Sequence, residues 1–400
     1  MEKRKVVILT LDAGFGHRKA ANAICEALTG AEEQNIECII MNPLDEHLFS
    51  GMLEKTQKQY DEVSQNHRFI YQTIYDIINN YPISLFADQI ITNFLIREIM
   101  HVIVDEKPDG IIVTFPIFGT AIRRILTLFN VKIPVYTVVT DHYNVHRLWF
   151  HPGSDKFFVS SDDLKKQAKK IGVPSEKVIV SGIPIDIRIA KENRSKEEIR
   201  KVLGWNSDLP IVTIVGSKRV QHLQETVLAI NEAKLPCQLC IIVGGDDELF
   251  QTLSDMEWKI PIHLYNYVKN MPEFLFASDI LLTKAGGLIT SEGLACGLPM
   301  IIIDAISGQE TGNVDYLESK EAAVSCLKTE KILDTLQKWL QKKSKTFGQY
   351  ENNARKIGKP NAAITIANHM IYDMETMTVN YDRVNMWKKL QNPFEWPVYW

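Results

Sequence analysis

Short runs of β-branched and aliphatic residues recur along the chain, and a stretch of helical character separates most of them from the next. Continuous apolar runs of this length are typical of strands that are buried on both faces of a sheet. Helical spacers between such strands indicate right-handed β-α-β crossovers and therefore parallel pairing. The predicted strands are Val6–Leu11, Glu37–Met41, Gly110–Thr114, Val135–Thr140, Lys156–Val159, Val178–Val180, Ile211–Val215, Leu239–Val243, Ile262–Tyr265, Ile280–Leu282 and Met300–Ile303. The sequence therefore predicts an α/β protein with parallel sheets.

The series of strands pauses once, at the polar stretch Ile187–Asp208, which is closed by Gly204 and Pro210. This composition is typical of an interdomain connector with a short helix. A chain of 400 residues also exceeds the ~250–300 residues at which one core usually divides. The expected units are a Rossmann-like domain at 1–186, a linker at 187–209, a second Rossmann-like domain at 210–360 and a C-terminal helix or tail at 361–400. A ligand would lie in the cleft between the two sets of strand ends.

Residues 47–103 do not follow the alternation of strands and helices. This excursion is helical in period and unusually rich in large apolar and aromatic residues, which are Tyr60, Phe69, Ile70, Tyr71, Ile74, Tyr75, Ile77, Ile78, Tyr81, Phe86, Phe94 and Leu95. Helices that are apolar over a wide arc are usually buried, so one interpretation is a helical insert that covers its own core. The other is a surface that contacts an acyl chain or a bilayer. The aromatic tail Tyr381–Trp400 leaves a similar choice, between a return to the first domain and a membrane interface.

Charge and cysteine content narrow the class of protein. The 45 Lys and Arg residues against 49 Asp and Glu give a net charge of −4, which does not favour a dedicated nucleic-acid binder. The six cysteines are scattered, as expected in a reducing compartment. The N-terminus lacks a signal-peptide pattern and no run approaches the ~20 apolar residues that span a bilayer. We expect a cytoplasmic protein whose membrane contact is peripheral.

A glycine loop, Asp12–His17, follows the first predicted strand and opens a helix. Glycines allow backbone N–H groups to approach a ligand at the positive end of a helix. A dinucleotide site would need a glycine where Lys19 stands, and a P-loop would need Gly-Lys-Ser/Thr, so neither is favoured. His17 lies at the mouth of the predicted cleft, where the helix dipole favours a neutral, proton-accepting imidazole. General base and structural histidine are both consistent with this position.

A second cluster of glycine and polar residues follows the strands of the second half. A strand ends at Thr283, Gly286 and Gly287 open a phosphate-sized concavity, and the helix at Leu288–Ala295 directs its N-terminus towards it. Glu292 lies where it would accept hydrogen bonds from ribose hydroxyls. Gln309 and Glu310 follow the next strand and face the same crevice. These residues together indicate a pocket for a nucleotide sugar.

These motifs resemble a known family of glycosyltransferases, which includes monogalactosyldiacylglycerol synthase, bacterial processive diacylglycerol glucosyltransferases and, more distantly, the lipid II synthase. The resemblance covers about Val6 to Gly358. It rests on motifs in the order that the family shows, namely Gly14–His17, Thr114–Pro116, Thr140–His142, Trp149-x-His151, Gly182–Pro184, Thr283–Gly287 with Glu292, Gly297–Pro299 and Gly308–Asn313. An ordered series of motifs is far more specific than one glycine loop.

The resemblance implies a GT-B fold, with two Rossmann-like domains facing across a cleft, and an inverting transfer of a hexose from a UDP-sugar without a required cofactor or metal. His17 matches the family's candidate base, and Asp141 is a second catalytic candidate. The implied donor-binding residues are Gly16, Gly216, Ser217, Tyr267, Val268, Lys284, Gly286, Gly287, Glu292, Gln309, Glu310 and Asn313. The implied acceptor-binding residues are Phe115, Pro116, His142 and Trp149.

The resemblance further implies a lipid hydroxyl acceptor, first of all diacylglycerol, and a peripheral position on the inner face of the cell membrane. Basic pairs that would meet an anionic surface are Arg123–Arg124, Lys165–Lys166 and Lys169–Lys170. A non-lipid acceptor, a UDP-sugar epimerase and a non-catalytic UDP-sugar sensor remain alternatives.

Three further patterns are interpreted structurally. The histidines at 142, 146 and 151 lack partners at metal-ligand spacing, Cys237 and Cys240 lead into a buried strand, and Asp246–Asp247 are expected to cap a helix.

Overall fold

The computed structural model describes residues 3–11, 15–30, 35–43, 81–217, 220, 223–306, 308, 310–341 and 345–377. The loop residues Lys218 and Arg219, residues 47–80 of the excursion and the tail 378–400 lie outside these ranges. The strands are β1 Arg4–Leu9, β2 Ile36–Met41, β3 Gly110–Val113, β4 Val135–Val138, β5 Lys156–Val159, β6 Val178–Val180, β7 Ile211–Val215, β8 Gln238–Ile242, β9 Ile262–Tyr265, β10 Ile280–Lys284, β11 Met300–Asp304 and β12 Ala323–Ser325.

Helices connect and cover these strands. They are α1 Phe15–Thr29, α2 Tyr81–Glu106, α3 Gly119–Leu128, α4 Asp162–Lys170, α5 Arg188–Lys191, α6 Lys196–Leu203, α7 Leu223–Glu232, α8 Asp247–Ser254, α9 Met271–Ala277, α10 Gly287–Ala295, α11 Thr311–Ser319, α12 Thr329–Trp339, α13 Lys345–Ile357 and α14 Ala362–Thr376. No helix in the described part of the chain combines the length and apolarity needed to cross a bilayer.

The strands form two sheets in which every pair is parallel, so the expected α/β class with parallel sheets is confirmed. The first sheet has the order β2-β1-β3-β4-β5-β6, and the second has the order β12-β11-β10-β7-β8-β9. The order reverses between β1 and β3 in one sheet and between β7 and β10 in the other. Ligands of open α/β sheets bind beyond the carboxyl ends of strands at such reversal points. The topology therefore predicts one ligand-binding position in each domain, beyond the carboxyl ends of the strands at the reversal point.

Alternate side chains of the first sheet enter two separate cores. Val7 and Leu9 pack with α2 and α3, whereas Val6 and Ile8 pack with α1 and with the C-terminal helix α14. The chain thus returns from the second sheet to cover the first. Tyr136 on β4 donates a hydrogen bond to Asp373 of α14, and Lys156 Nζ lies 2.7 Å from Asp373 Oδ2.

The connector between the sheets is fixed to the second sheet by a charge network. Asp279, at the start of β10, accepts hydrogen bonds from Arg200 Nη2 at 2.5 Å and from Lys196 Nζ at 2.7 Å, both on α6. Its carboxylate also accepts from the backbone N–H of Ile211 at 2.8 Å. Burial raises the pKa of Asp279, but Lys196, this N–H group and Arg200 outweigh it and hold the pKa below its usual value.

Three features of the fold differ from the sequence predictions. The strands β1 and β4 end at Leu9 and Val138, two residues before the predicted ends at Leu11 and Thr140. The short edge strand β12 is an addition, since three residues are too few to stand out as an apolar run. Cys25 on α1 and Cys38 on β2 have Cα atoms 5.6 Å apart and form a disulfide. Their scattered spacing did not indicate this pair, because neighbouring elements in space bring them together.

Candidate active site

His17 lies in the first turn of α1, beside the reversal point of the first sheet. Its Nδ1 is 2.9 Å from the carbonyl oxygen of Thr114, at the end of β3, and 3.0 Å from Thr140 Oγ1, after β4. A carbonyl oxygen only accepts hydrogen bonds, so Nδ1 carries the proton and Nε2 keeps a free lone pair. Thr140 is a site residue that the sequence prediction missed, although it belongs to a motif that was quoted.

The environment of His17 keeps its imidazole neutral. The side chain is 8% exposed, and burial lowers its pKa to about 4, although the hydrogen bond to Thr114 acts in the opposite direction. Phe115 packs edge-on against the ring with centroids 4.9 Å apart, and Trp149 lies at 6.1 Å. A neutral histidine with an unprotonated Nε2 has the protonation state that a general base needs, although the lowered pKa makes it a weaker base than a free imidazole.

The predicted acceptor residues separate into two groups. Phe115 packs against His17, and both Phe115 and the following residue, Pro116, are half-buried. Trp149 and His142 are buried, Trp149 in a core with Val139 and Phe157, and His142 against the C-terminal domain. The structure therefore leaves Phe115 and Pro116 as the members of this set that remain accessible beside His17.

Lys284 and Glu310 form the charged centre of the donor side. Lys284 ends β10 and pairs with Glu310, whose other carboxylate oxygen accepts from the backbone N–H of Ile306 at 2.9 Å. Asp141, from the N-terminal domain, lies within their electrostatic reach. Burial raises the pKa of Asp141 to about 6, the hydrogen bond from Asn313 and the charge of Lys284 oppose this shift, and Glu310 adds to it. Charged groups of both domains thus meet at one place.

The N-terminus of α10 faces the N-terminal domain, whereas the sequence predicted that the glycine pair opens a concavity for a phosphate. Gly286 is the N-cap of this helix, and a Cβ at Gly287 would lie 2.0 Å from the carbonyl oxygen of Thr140. Glu292, five residues into the helix, is 4% exposed. None of the described residues hydrogen-bonds its carboxylate. Burial raises the pKa of Glu292 to about 7, which Lys19 on α1 partly offsets and Asp186 reinforces.

The remaining predicted donor residues lie on loops at the carboxyl ends of the second sheet. Gly216 and Ser217 follow β7, at the reversal point. Tyr267 and Val268 follow β9, Tyr267 being 58% exposed and Val268 buried. Gly16 is in the first turn of α1, with open space where a Cβ would be. Gln309 lies outside the described residues.

The patterns that were interpreted structurally have structural partners. His146 Nδ1 accepts from the N–H of Leu148 at 3.2 Å, and His151 Nδ1 accepts from that of Gly153 at 3.0 Å. Cys237 and Cys240 are buried core residues, and Asp246 caps α8.

Comparisons with known proteins agree with this geometry. A model of the monogalactosyldiacylglycerol (MGDG) synthase family matches residues 17–185, and a model of the glycosyltransferase family 28 C-terminal domain matches residues 211–369. The chain is 28% identical over 388 residues to the chloroplastic monogalactosyldiacylglycerol synthase of Spinacia oleracea, covering 92% of this chain and 72% of that protein. It is 28% identical over 373 residues to monogalactosyldiacylglycerol synthase 3 of Arabidopsis thaliana, with 91% and 80% covered.

Solved structures share the fold at low sequence identity. MurG from Acinetobacter baumannii superposes with a TM-score of 0.57 at 14% identity, covering 94% of this chain and 100% of that one. A UDP-GlcNAc 2-epimerase from Neisseria meningitidis, bound to UDP-GlcNAc, gives 0.58 at 16% identity, with 92% and 100% covered. Identities this low speak for the architecture alone. With the two parallel six-stranded sheets, they establish the GT-B fold.

Proposed function

The chain belongs to the monogalactosyldiacylglycerol synthase family of GT-B glycosyltransferases and uses a UDP-sugar, and from this premise we propose that it transfers a hexose to the hydroxyl of diacylglycerol. The names of its relatives make UDP-galactose the first donor to test. The observation that carries the proposal is the position of His17. The ring of His17 lies beside the reversal point of the acceptor-side sheet, with Nδ1 hydrogen-bonded to Thr114 and Thr140, and the donor-side helices meet the same segment of chain.

The proposed reaction is a single displacement with inversion. The acceptor oxygen attacks C1 of the hexose from the side opposite UDP, forming the new C1–O bond as the bond from C1 to the diphosphate oxygen breaks. His17 Nε2 takes the proton of the attacking hydroxyl. The ring can accept it because the lowered pKa keeps the imidazole in its neutral form at neutral pH. Phe115 and Pro116 flank this position and would contact the acceptor.

Positive charge on the donor side would stabilise the leaving diphosphate. Lys284 is a fixed cation at the end of β10, and the N–H groups at the start of α10 carry the positive end of the helix dipole. The carboxylate of Glu292, which no described residue hydrogen-bonds, is suited to accept hydrogen bonds from ribose hydroxyls. We propose that these groups suffice without a metal ion.

Membrane contact is proposed through the basic face of α4. Lys169 and Lys170 are exposed in its last turn, whereas Arg123 is held by Asp155 at 3.0 Å and Lys166 lies 3.1 Å from Asp163. Each exposed lysine near an anionic surface contributes about 1 kcal/mol to binding. We propose that the protein lies peripherally on the inner face of the cell membrane, where a lipid acceptor is available.

The test is UDP release by the purified protein with UDP-galactose, UDP-glucose and UDP-N-acetylglucosamine, each with and without diacylglycerol in mixed micelles. The proposal predicts lipid-dependent release with at least one donor and a β-linked glycolipid product by NMR. Donor binding without lipid-dependent release would remove diacylglycerol as acceptor. A new epimer formed without any acceptor would instead establish the epimerase alternative.

A further inference from the structure

The segment Thr140–Tyr143, which we call the β4 exit segment, is held closely by the C-terminal domain. A Cβ at Gly287 would lie 2.0 Å from the carbonyl oxygen of Thr140, and a Cβ at Gly312 would lie 2.0 Å from that of Tyr143. Gly287 is the first residue of α10, and Gly312 lies in the first turn of α11. Because no side chain fits at either place, the backbones of the two domains are in direct contact at both ends of the segment.

Asn313 lies between these two contacts and is completely buried. Its Oδ1 accepts from the backbone N–H of His142 at 2.6 Å. Its Nδ2 donates to Asp141 Oδ1 at 3.0 Å and to the carbonyl oxygen of Ala285 at 2.9 Å. An asparagine side chain has two N–H donors, and here both are used inside the protein. No donor of Asn313 remains for a sugar hydroxyl.

The ring of His142 anchors the same segment from a second direction. It stacks on Tyr316 of α11 with centroids 5.1 Å apart and an interplanar angle of 12°. Its Nε2 lies 3.0 Å from Thr290 Oγ1 on α10. The Thr290 hydroxyl donates to the carbonyl oxygen of Gly286 at 2.7 Å, so it accepts from the histidine N–H. Both α10 and α11 therefore contact His142, the residue next to Asp141.

The β4 exit segment begins at the residue that holds the proposed base. Thr140 Oγ1 is bonded to His17 Nδ1, and Asp141 and His142, the next two residues, are the ones that Asn313 binds. A shift of the segment relative to α11 would therefore move the imidazole relative to any sugar held by the C-terminal domain. We propose that Asn313 is a positioning residue that fixes His17 against the donor-binding helices and does not bind the hexose. This inference rests on the proposed function for its kinetic consequence, but not for its structural one.

The kinetic test compares Asn313→Ala with Asn231→Ala. Asn231 is a matched control because it is also buried and bonded on both sides, to Lys259 N at 2.8 Å and Glu257 O at 3.2 Å, but within the C-terminal domain away from the cleft. Asn313→Ala should lower kcat on the order of 10- to 100-fold, the usual consequence of a reacting group misplaced by a fraction of an ångström to 1 Å. Donor KM and the preference among UDP-sugars should stay unchanged. Asn231→Ala should reduce stability and leave kcat intact.

A second measurement does not depend on turnover. Hydrogen–deuterium exchange should become faster in peptides that contain the His142 amide in Asn313→Ala, because this N–H loses its acceptor, and should stay unchanged there in Asn231→Ala. Unchanged exchange would overturn the inference. So would a rise in donor KM or altered donor preference with normal kcat, since either would make Asn313 a sugar ligand. If the wild type releases no UDP with any acceptor, the proposed function fails, and the exchange result alone decides the role of Asn313.

Discussion

Gly312→Ala is the most quantitative perturbation that the structure offers. The added Cβ would lie 2.0 Å from the carbonyl oxygen of Tyr143, whereas real Cβ contacts are essentially never shorter than 3.0 Å. The oxygen belongs to the backbone, so it has no rotamer by which to move aside. One of the two backbones must therefore shift by at least 1 Å at this point. A misplacement of about 1 Å costs on the order of 100-fold in rate when it separates reacting groups.

Helix propensity acts in the opposite direction, which makes the result easy to interpret. Alanine in place of glycine inside a helix stabilises by about 0.5–1 kcal/mol, so a loss of activity would not arise from a weaker α11. Gly348→Ala is the matched control, because Gly348 lies in α13 with nothing within 4 Å of an added Cβ.

The assay is UDP release under saturating donor and lipid, with UDP affinity measured by calorimetry on the same preparations. Gly312→Ala should lose about 100-fold in kcat and keep its UDP affinity, while Gly348→Ala should match the wild type. A Gly312→Ala protein with wild-type kcat would show that close contact at the β4 exit segment is not needed for transfer, and would refute this reasoning.

Three further predictions follow from single contacts. Thr140→Val removes the hydroxyl that hydrogen-bonds to His17 and should lower kcat about 2- to 10-fold, the equivalent of one neutral hydrogen bond. A kcat equal to that of the wild type would show that Thr140 does not orient His17. Asp279→Asn leaves Arg200 buried without its charge partner and should cost about 2–4 kcal/mol in urea unfolding at pH 7. The pKa of Asp279 is lower in the folded protein than in the unfolded chain, where it is about 3.9. The difference in unfolding free energy between wild type and variant should therefore be full above the unfolded pKa and shrink as pH falls through the folded pKa. A difference that stays constant with pH would contradict the ion pair of Asp279 with Arg200. The pH dependence at Glu292 has the opposite sign, because its pKa of about 7 in the folded protein makes the ionised form unfavourable. Glu292→Gln should therefore gain stability relative to wild type as pH rises from 5 to 7.5. An equal stability difference at both pH values would argue against a buried carboxylate with a raised pKa.

Local pattern was enough to predict most of the scaffold. Strand runs such as Gly110–Thr114 are apolar because helices cover both faces of the sheet, and this requirement is visible in the sequence alone. The glycine pair at 286–287 likewise predicted a helix N-terminus there, and the helix does begin at Gly287. The edge strand at Ala323–Ser325 escaped detection because three residues do not form a distinctive run.

Local sequence patterns could not predict which residues of the two domains contact each other. Two of the three hydrogen bonds of Asn313 join residues more than 170 positions apart in sequence, and no periodicity encodes that pairing. Trp149 stays a predicted acceptor residue: its ring lies 6.1 Å from that of His17, and it also packs in a core with Phe157. Its burial depends on how a short turn folds back, which the motif alone does not encode.

The central claim is that His17 takes the proton of the acceptor hydroxyl. The direct measurement is kcat for lipid-dependent UDP release by His17→Ala, together with the UDP-sugar affinity of the same protein. His263→Ala serves as the control, since this half-buried histidine stacks on Trp205 in the C-terminal domain. The account predicts a kcat about 10²–10⁴-fold below wild type, unchanged donor affinity, and near-normal kcat in the control. A His17→Ala protein that transfers at the wild-type rate would contradict it.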